Sequence, residues 1–192
     1  MAPRVPKTEL APELSASMIK QFGAVPEPLE VMWHNPSVAL ASMEIAGKAN
    51  GWGSADETLK SFAHMAVAAQ VGCSFCLDAG YFQAQNQKLD LTKASQVPRW
   101  RESEVFTAQE RDVMEYAEAM TNTPPTVTDE LTARLLDDLG PAALVELTAF
   151  IAFANLVTRT NTALGIESQG FSAACAIPLA TRRESSGAAS TS

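Results

Sequence analysis

The sequence predicts an all-α fold, and three observations lead to this prediction. Helix start and stop signals recur along the chain, whereas no run of residues alternates apolar and polar for long enough to predict a strand. Of the 192 residues, 46% are apolar and 19% charged, which is typical of a globular protein with a sizeable core. The length suggests a single domain. We therefore expect an N-terminal arm and short helix (1–24), one all-helical domain (25–181) and a flexible tail (182–192).

Each helix is predicted from the residues at its ends. Gly23 stops the first helix, Asn35 followed by Pro begins the second, and capping boxes at Ser54 and Thr107 open two more. Gly140 followed by Pro ends one helix and begins the next. Residues 88–104 are expected to be irregular. In chain order, the predicted helices cover about residues 12–22, 36–47, 54–71, 73–86, 107–120, 128–139 and 141–164.

Charge and composition exclude several classes of function. Acidic residues outnumber basic ones 22 to 14, giving a net charge of −8 and a pI near 4.8, so neither nucleic acid nor an anionic membrane surface is an expected partner. The most apolar stretch, residues 142–157, contains Glu146 and Asn155 and is predicted to be a buried core helix rather than a membrane span. Three cysteines, an odd number, and no signal-peptide pattern favour a reducing, cytoplasmic setting.

The segment that carries chemistry contains Cys73 and Cys76 at spacing i, i+3. On a helix this spacing places both side chains on one face, with Cβ atoms roughly 5–6 Å apart. Because Gly72 ends the preceding helix, Cys73 lies at a new helix N-terminus, where free N–H groups and the helix dipole favour a thiolate. A thiolate attacks peroxides and disulfides, and a second thiol resolves the product. We therefore predict thiol–disulfide chemistry for this pair.

Two other interpretations of the pair stay open at this point. A C-x-x-C motif can form half of a zinc site, but the other candidate ligands, Cys175, His34 and His64, form no second paired motif, so no metal is expected. Two small cysteines can also pack inertly in a core. Cys175 itself is predicted to be a packing residue, and no cofactor is expected.

The sequence Ala-Val-Ala-Ala-Gln-Val-Gly-Cys-Ser-Phe-Cys-Leu-Asp, residues 66–78, resembles the carboxymuconolactone decarboxylase family and, within it, the alkylhydroperoxidase D-like (AhpD-like) branch. Residues 164–175 resemble the ending of many such proteins, and the likeness covers roughly residues 25–180. It implies an AhpD-like helical bundle that assembles as a homo-oligomer, often a trimer or hexamer and sometimes a dimer. It also implies that Cys76 is the attacking thiol and Cys73 the resolving one.

The proton-handling groups of this family are replaced in this chain. Where the family has a glutamate before the pair, in some members a histidine inside it, and a histidine after it, this chain has Ser61, Phe75 and Gly80. His64 lies one helical turn after Ser61 and could supply a base, or it could be a structural histidine bonded to a backbone carbonyl. Asp78 could be a carboxylate near the thiol, or an acid that only complements the helix dipole.

The resulting prediction is a thiol-dependent antioxidant enzyme, a peroxidase or thiol–disulfide oxidoreductase. It would act on a small peroxide or disulfide and would be regenerated by a thiol or lipoyl-type reductant. One alternative is a decarboxylase or lactone-transforming enzyme on the same fold, with His64, Arg101 and Arg159 as candidate residues. Another is a non-catalytic oligomeric protein that has lost the proton relay.

Overall fold

The chain folds into α-helices joined by short connections. In the computed structural model, which describes residues 2–181, no β-strand occurs within that range, and the all-α prediction is confirmed. The predicted tail, 182–192, lies outside the described residues. The helices are α1 (Pro12–Phe22), α2 (Glu27–Met32), α3 (Pro36–Asn50), α4 (Glu57–Val71), α5 (Ser74–Asn86), α6 (Leu91–Ala94), α7 (Ala108–Thr121) and α8 (Asp129–Leu164), with 3₁₀ turns at Val97–Glu102 and Phe171–Ala174.

Most helix ends lie where the capping signals predict. The Asn35 side chain accepts the N–H of Val38 at the start of α3. Thr107 and Glu110 form the predicted capping box at the start of α7, with each side chain accepting the backbone N–H of the other residue. These local hydrogen bonds satisfy backbone donors that an α-helix leaves free at its N-terminus.

Two parts of the predicted helix pattern are wrong, and α2 has no counterpart in it. Asp56, not Ser54, caps α4, because its carboxylate accepts the N–H groups of Thr58 and Leu59. The N–H of Ser54 donates instead to Glu146 on α8, at 2.6 Å. The segment predicted to be irregular contains α6 and a 3₁₀ turn, both too short to leave a periodic pattern in the sequence.

The core surrounds α4, which packs against α5, α7 and α8. Fully burying one large apolar side chain contributes about 1.5–3 kcal/mol, so this cluster is the main source of stability. Lys60 of α4 and Glu146 of α8 form a buried ion pair at its edge, with the nitrogen and oxygen 3.1 Å apart. The largest fully buried apolar side chains of these four helices are Phe62, Met65, Val67, Tyr81, Val113, Met114, Leu135, Leu147 and Ile151.

The long helix α8 is only half enclosed by this core. The backbone of Gly140 is not helical, with φ of 76°, so α8 consists of two helical segments that meet in a kink at the predicted boundary. An 18-residue window of α8 has a mean hydropathy of 1.6 and is 39% buried, so by length and composition alone the helix could cross a membrane. Its inward face packs on α4 and α7, whereas Val145 and Leu156 on its outward face are 70% and 50% exposed.

Candidate active site

The cysteine pair lies where α4 ends and α5 begins. Gly72 adopts a left-handed conformation, with φ of 80°, and its N–H and that of Cys73 both donate to the carbonyl oxygen of Ala68. This turn closes α4 and allows Cys73 to become the N-cap of α5. The Sγ of Cys73 accepts the N–H of Cys76 at 3.2 Å. The glycine thus places one sulfur at a helix N-terminus.

Cys73 and Cys76 are joined by a disulfide, with their Cα atoms 5.3 Å apart. Each cysteine is only 2% exposed. The side chains around the pair form a second, smaller cluster that is apolar. Its buried members besides the cysteines are Val31, Ala68, Phe75 and Ile166, and the partly buried members are Val5, Leu77, Ala79, Val157, Leu164 and Phe171.

Asn161 is a site residue that the sequence analysis did not identify. Its side chain is 1% exposed, and its Nδ2 group donates to the Sγ of Cys76 at 3.3 Å. The residue lies on the inward face of α8, 85 positions along the chain from the cysteine. The sequence contains one indication of this role, because helical spacing places the polar Asn161 on the same face as the apolar residues Ile151 and Ala154.

His64 occupies the space beside Gly80. A Cβ atom added to Gly80 would lie 3.1 Å from Nδ1 of His64 and 3.2 Å from Cγ of Met65. The imidazole on α4 therefore lies where a side chain at position 80, one helical turn after Cys76, would begin. Burial lowers the pKa of His64 to about 4, so the ring is neutral at pH 7 and a weaker base than free imidazole.

The carboxylate of Asp78 holds the C-terminal strap, which we define as residues 166–175, against α5. Its Oδ2 accepts hydrogen bonds from the hydroxyl of Ser168 at 2.8 Å and from the N–H of Phe171 at 2.9 Å. Its Oδ1 accepts from the N–H and hydroxyl of Ser172, at 2.8 and 2.6 Å. Burial alone would raise the pKa of Asp78, but these hydrogen bonds outweigh it and keep the pKa below its ordinary value.

The strap and the N-terminal segment, residues 2–10, cover the cysteines. The ring of Phe171 contacts those of Phe75, Phe82 and Phe22, with centroids 6.0, 6.0 and 6.4 Å away. On the other side, the guanidinium of Arg4 donates to the carbonyl oxygens of two residues at the end of α8, at 2.8 and 2.6 Å. Arg4 thus satisfies free carbonyl groups and complements the negative end of the helix dipole.

The remaining candidate residues are Ser61 and Cys175. Ser61 is half-buried on α4, and among the hydrogen bonds of residues 2–181 none joins it or His64 to a sulfur. Cys175 is a free thiol at the end of the strap, partly buried against the main core. Burial and the negative charge of Asp78 raise the pKa of the Cys175 thiol. It is therefore protonated near neutral pH and sits outside the pair.

The basic residues considered for carbon–carbon or lactone chemistry make protein contacts elsewhere. Arg101 is paired with Glu118 and stacks on the ring of Trp100, with its guanidinium 4.1 Å from the ring centroid. Arg159 donates to the carbonyl oxygen of Thr121 at 2.5 Å. A polar cavity of about 300 Å³ is lined by Arg101 and neighbouring side chains, and neither paired cysteine lines it.

The side chains considered as metal ligands do not come together in the described part of the chain. Nε2 of His34 lies 2.8 Å from the carbonyl oxygen of Pro6 on the exposed surface. Within residues 2–181, no three His, Cys, Asp or Glu side chains are close enough together to hold a metal ion.

Comparisons with known proteins agree with this architecture. The profile of the carboxymuconolactone decarboxylase family matches residues 36–119. The uncharacterized protein YnjA of Escherichia coli K12 is 34% identical over 160 residues, which are 83% of this chain and 86% of that protein. The crystal structure of the debrominase Bmp8 superposes with a TM-score of 0.75 at 22% identity, over 85% of this chain and 90% of Bmp8.

A second solved structure covers more of the chain. It is a peroxidase-related protein with an alkylhydroperoxidase AhpD core from Ralstonia eutropha JMP134, with a TM-score of 0.80 at 17% identity over 93% of this chain and 98% of that one. At these identities the two structures define the fold, which is AhpD-like. The family match over residues 36–119 and the relative at 34% identity show that the chain belongs to the carboxymuconolactone decarboxylase family.

Proposed function

We propose that this protein is a thiol-dependent antioxidant enzyme of the cytoplasm, with Cys73 and Cys76 as its redox pair. The observation that carries the proposal is the pair itself, which is joined in one helical turn and supplied with a separate hydrogen-bond donor at each sulfur. The oxidant is a hydroperoxide or a small disulfide. The reductant is a thiol or a lipoyl-type dithiol.

The proposed reaction with a hydroperoxide starts from the reduced pair. The thiolate of Cys76 attacks the O–O bond, so that an S–O bond forms, the O–O bond breaks and the alcohol leaves after taking up a proton. The thiol of Cys73 then attacks the sulfur of Cys76, forming the disulfide and releasing water. The two thiols lose two electrons in total. Thiol–disulfide exchange with the reductant returns two electrons and two protons.

His64 is the proposed proton acceptor, since its imidazole on α4 lies beside Gly80, the residue one helical turn after Cys76 on α5, and is neutral at pH 7. Its lowered pKa makes it a weak base, so its contribution is expected to be smaller than the 10²- to 10⁴-fold of a well-tuned general base. Ser61, one turn earlier on the same helix, is the proposed supporting group. The site therefore depends chiefly on hydrogen bonds to the sulfurs.

A homo-oligomer, with a trimer or hexamer favoured over a dimer, is proposed as the working form. Two apolar surfaces support it, because exposed apolar patches commonly mark interaction sites. On α3, Val38 and Ile45, which lie about two turns apart on one face, are 50% and 44% exposed. On α8, Val145 and Leu156 form the second surface. Sedimentation or light scattering measures the oligomer number directly.

Stopped-flow oxidation of the pre-reduced protein by a hydroperoxide tests the function. The wild type should consume one equivalent of peroxide per cysteine pair. Cys73→Ser should stop at a sulfenic acid on Cys76 that a dimedone probe traps, and Cys76→Ser should be inert. The matched control is Cys175→Ser, since the thiol of Cys175 lies outside the pair, and it should react like the wild type.

Three results would overturn the proposal. Equal rates for the wild type and Cys76→Ser would show that the pair takes no part. Conversion of a carboxymuconolactone-type substrate that survives removal of both paired cysteines would instead favour the decarboxylase or lactone-transforming alternative. A protein inert toward both substrate classes would favour the non-catalytic alternative.

A further inference from the structure

The two sulfurs of the pair receive hydrogen bonds of different origin. The Sγ of Cys73 accepts a backbone N–H from its own helix, as a side chain at an N-cap normally does. The Sγ of Cys76 accepts a side-chain amide from α8, at 3.3 Å. Because the second donor belongs to another helix and to a side chain, it is a group that a substitution can remove without altering the backbone of α5.

Packing alone does not account for an asparagine at position 161. Its side chain is 1% exposed. The same helix face carries Ile151, Ala154 and Thr158, and the hydroxyl of Thr158 donates to the carbonyl oxygen of Ala154 in its own helix. Burying an amide costs free energy unless the amide is hydrogen-bonded. A disulfide sulfur is a weak acceptor, whereas a thiolate is a strong one, so the bond gains strength when Cys76 is reduced and ionised.

The other charged and titratable groups near the pair offer little stabilisation of a thiolate. His64 on α4 is neutral at pH 7, and Asp78 on α5 is an anion whose charge opposes ionisation of a nearby thiol. Arg4 of the N-terminal segment is bonded to carbonyl groups at the end of α8. Lys7 of the same segment pairs with the carboxylates of α2. The amide of Asn161 is thus the donor directed at Cys76.

We propose that Asn161 is a catalytic residue, whose amide stabilises the thiolate of Cys76 and so makes this cysteine the attacking one. The inference rests on the proposed function for its catalytic meaning, but the stabilisation itself is measurable without any substrate. A hydrogen bond to a charged group shifts an equilibrium constant toward the charged form by about tenfold or somewhat more. Removing the donor should therefore lower the thiolate fraction of Cys76 about tenfold at a pH below its pKa.

The experiment isolates Cys76 in the Cys73→Ser/Cys175→Ser background, which leaves it as the single cysteine of the chain. Thiolate absorbance at 240 nm is followed against pH, because this readout does not require access to the buried sulfur. Asn161→Leu should raise the apparent pKa by about one unit, and the isosteric Asn161→Asp should raise it further, because a carboxylate repels the thiolate.

The matched control is Asn155→Leu. Asn155 lies on the same helix, and its amide donates to Thr121 rather than to a sulfur. Its loss should destabilise the fold without moving the pKa of Cys76. Equal pKa values in the Asn161 variants and their parent, or an equal shift in Asn155→Leu, would overturn the inference.

A measurement on the reduced wild-type protein avoids variants that fail to fold. The side-chain amide protons of Asn161 should shift in the NMR spectrum with the same pH midpoint as the 240 nm absorbance. Amide signals that do not respond to ionisation would also overturn the inference. A confirmed shift in a protein that proves inert toward both hydroperoxides and small disulfides would leave the stabilisation of the Cys76 thiolate by Asn161 standing, and would refute the proposed function and with it the catalytic role of Asn161.

Discussion

Replacing Asp78 with asparagine should loosen the C-terminal strap and expose the cysteine pair. The aspartate accepts four hydrogen bonds, two on each oxygen, all from residues of the strap. Asparagine keeps one carbonyl oxygen and turns the other position into an NH₂ group. The hydroxyls of Ser168 and Ser172 can rotate to accept from that group, but the backbone N–H of Phe171 or of Ser172 is left facing a donor.

The size of the effect follows from these bonds. Leaving one buried N–H unsatisfied costs about 1–3 kcal/mol, and replacing the charged acceptor by a neutral one weakens the two retained bonds by about 1 kcal/mol in total or slightly more. We therefore expect the free energy that holds the strap to fall by about 2–4 kcal/mol. Because the pKa of Asp78 is depressed, its stabilisation is fully present above about pH 4 and is lost as pH falls through the lower, folded-state pKa.

The assay is the rate at which an added dithiol reduces the Cys73–Cys76 disulfide at pH 7, together with proteolysis within residues 166–175. Each 1.4 kcal/mol lost from strap docking raises the population of the open form about tenfold, so reduction should accelerate by at least that factor. Asp90→Asn is the control, because Asp90 caps helix α6 through bonds to Thr92 and Lys93 rather than to the strap, and also has a lowered pKa. A reduction rate and a proteolysis pattern unchanged from the wild type would refute the reasoning.

Two further predictions concern His64. Its folded-state pKa of about 4 lies below the ordinary value of 6.5, so the free energy of unfolding should fall by about 2 kcal/mol between pH 7 and pH 5; urea denaturation measures this, and His64→Gln should remove the slope. Gly80→His should destabilise the fold by about 1–3 kcal/mol through the clash with His64 and Met65, and the double variant His64→Ala/Gly80→His should recover most of that loss.

Each of these predictions has a contradicting outcome. A pH slope that persists in His64→Gln would mean that other groups take up the protons. Equal stability of Gly80→His and the wild type would mean that the imidazole is free to leave the space beside Gly80. In the double variant the imidazole is also expected to lower the pKa of the Cys76 thiol, which the absorbance titration described for Asn161 can detect.

The parts of the fold that were predictable from sequence are those determined by neighbouring residues. Asn35 and the Thr107–Glu110 capping box act over three positions, and both are observed. The predicted helix cap at Ser54 is wrong because Asp56 has a carboxylate closer to the helix start. In addition, Glu146, 92 positions away, accepts the N–H of Ser54. Long-range competition of this kind leaves no local trace in a sequence.

In the candidate site, too, the local features were predictable from sequence and the long-range contacts were not. The spacing of Cys73 and Cys76 and the glycine before them predict a paired motif at a helix start, and the structure has it. The partners of the pair were not predictable, because they depend on how α8 and the strap pack against α5. Asn161 lies between Thr160 and Thr162 in a stretch with no motif around it, and Asp78 bonds residues 90 to 94 positions away.

The cover of the cysteine pair is built from residues near both ends of the described chain, the N-terminal segment and the strap, whereas α4, α7 and α8 form the main core. The two covering pieces contribute few of the large buried side chains, so they can detach while the core helices stay folded. The disulfide would then be reached through a local opening whose free energy is only a fraction of that of global unfolding. Substitutions in the cover can therefore adjust how often the pair meets solvent while the core helices stay folded.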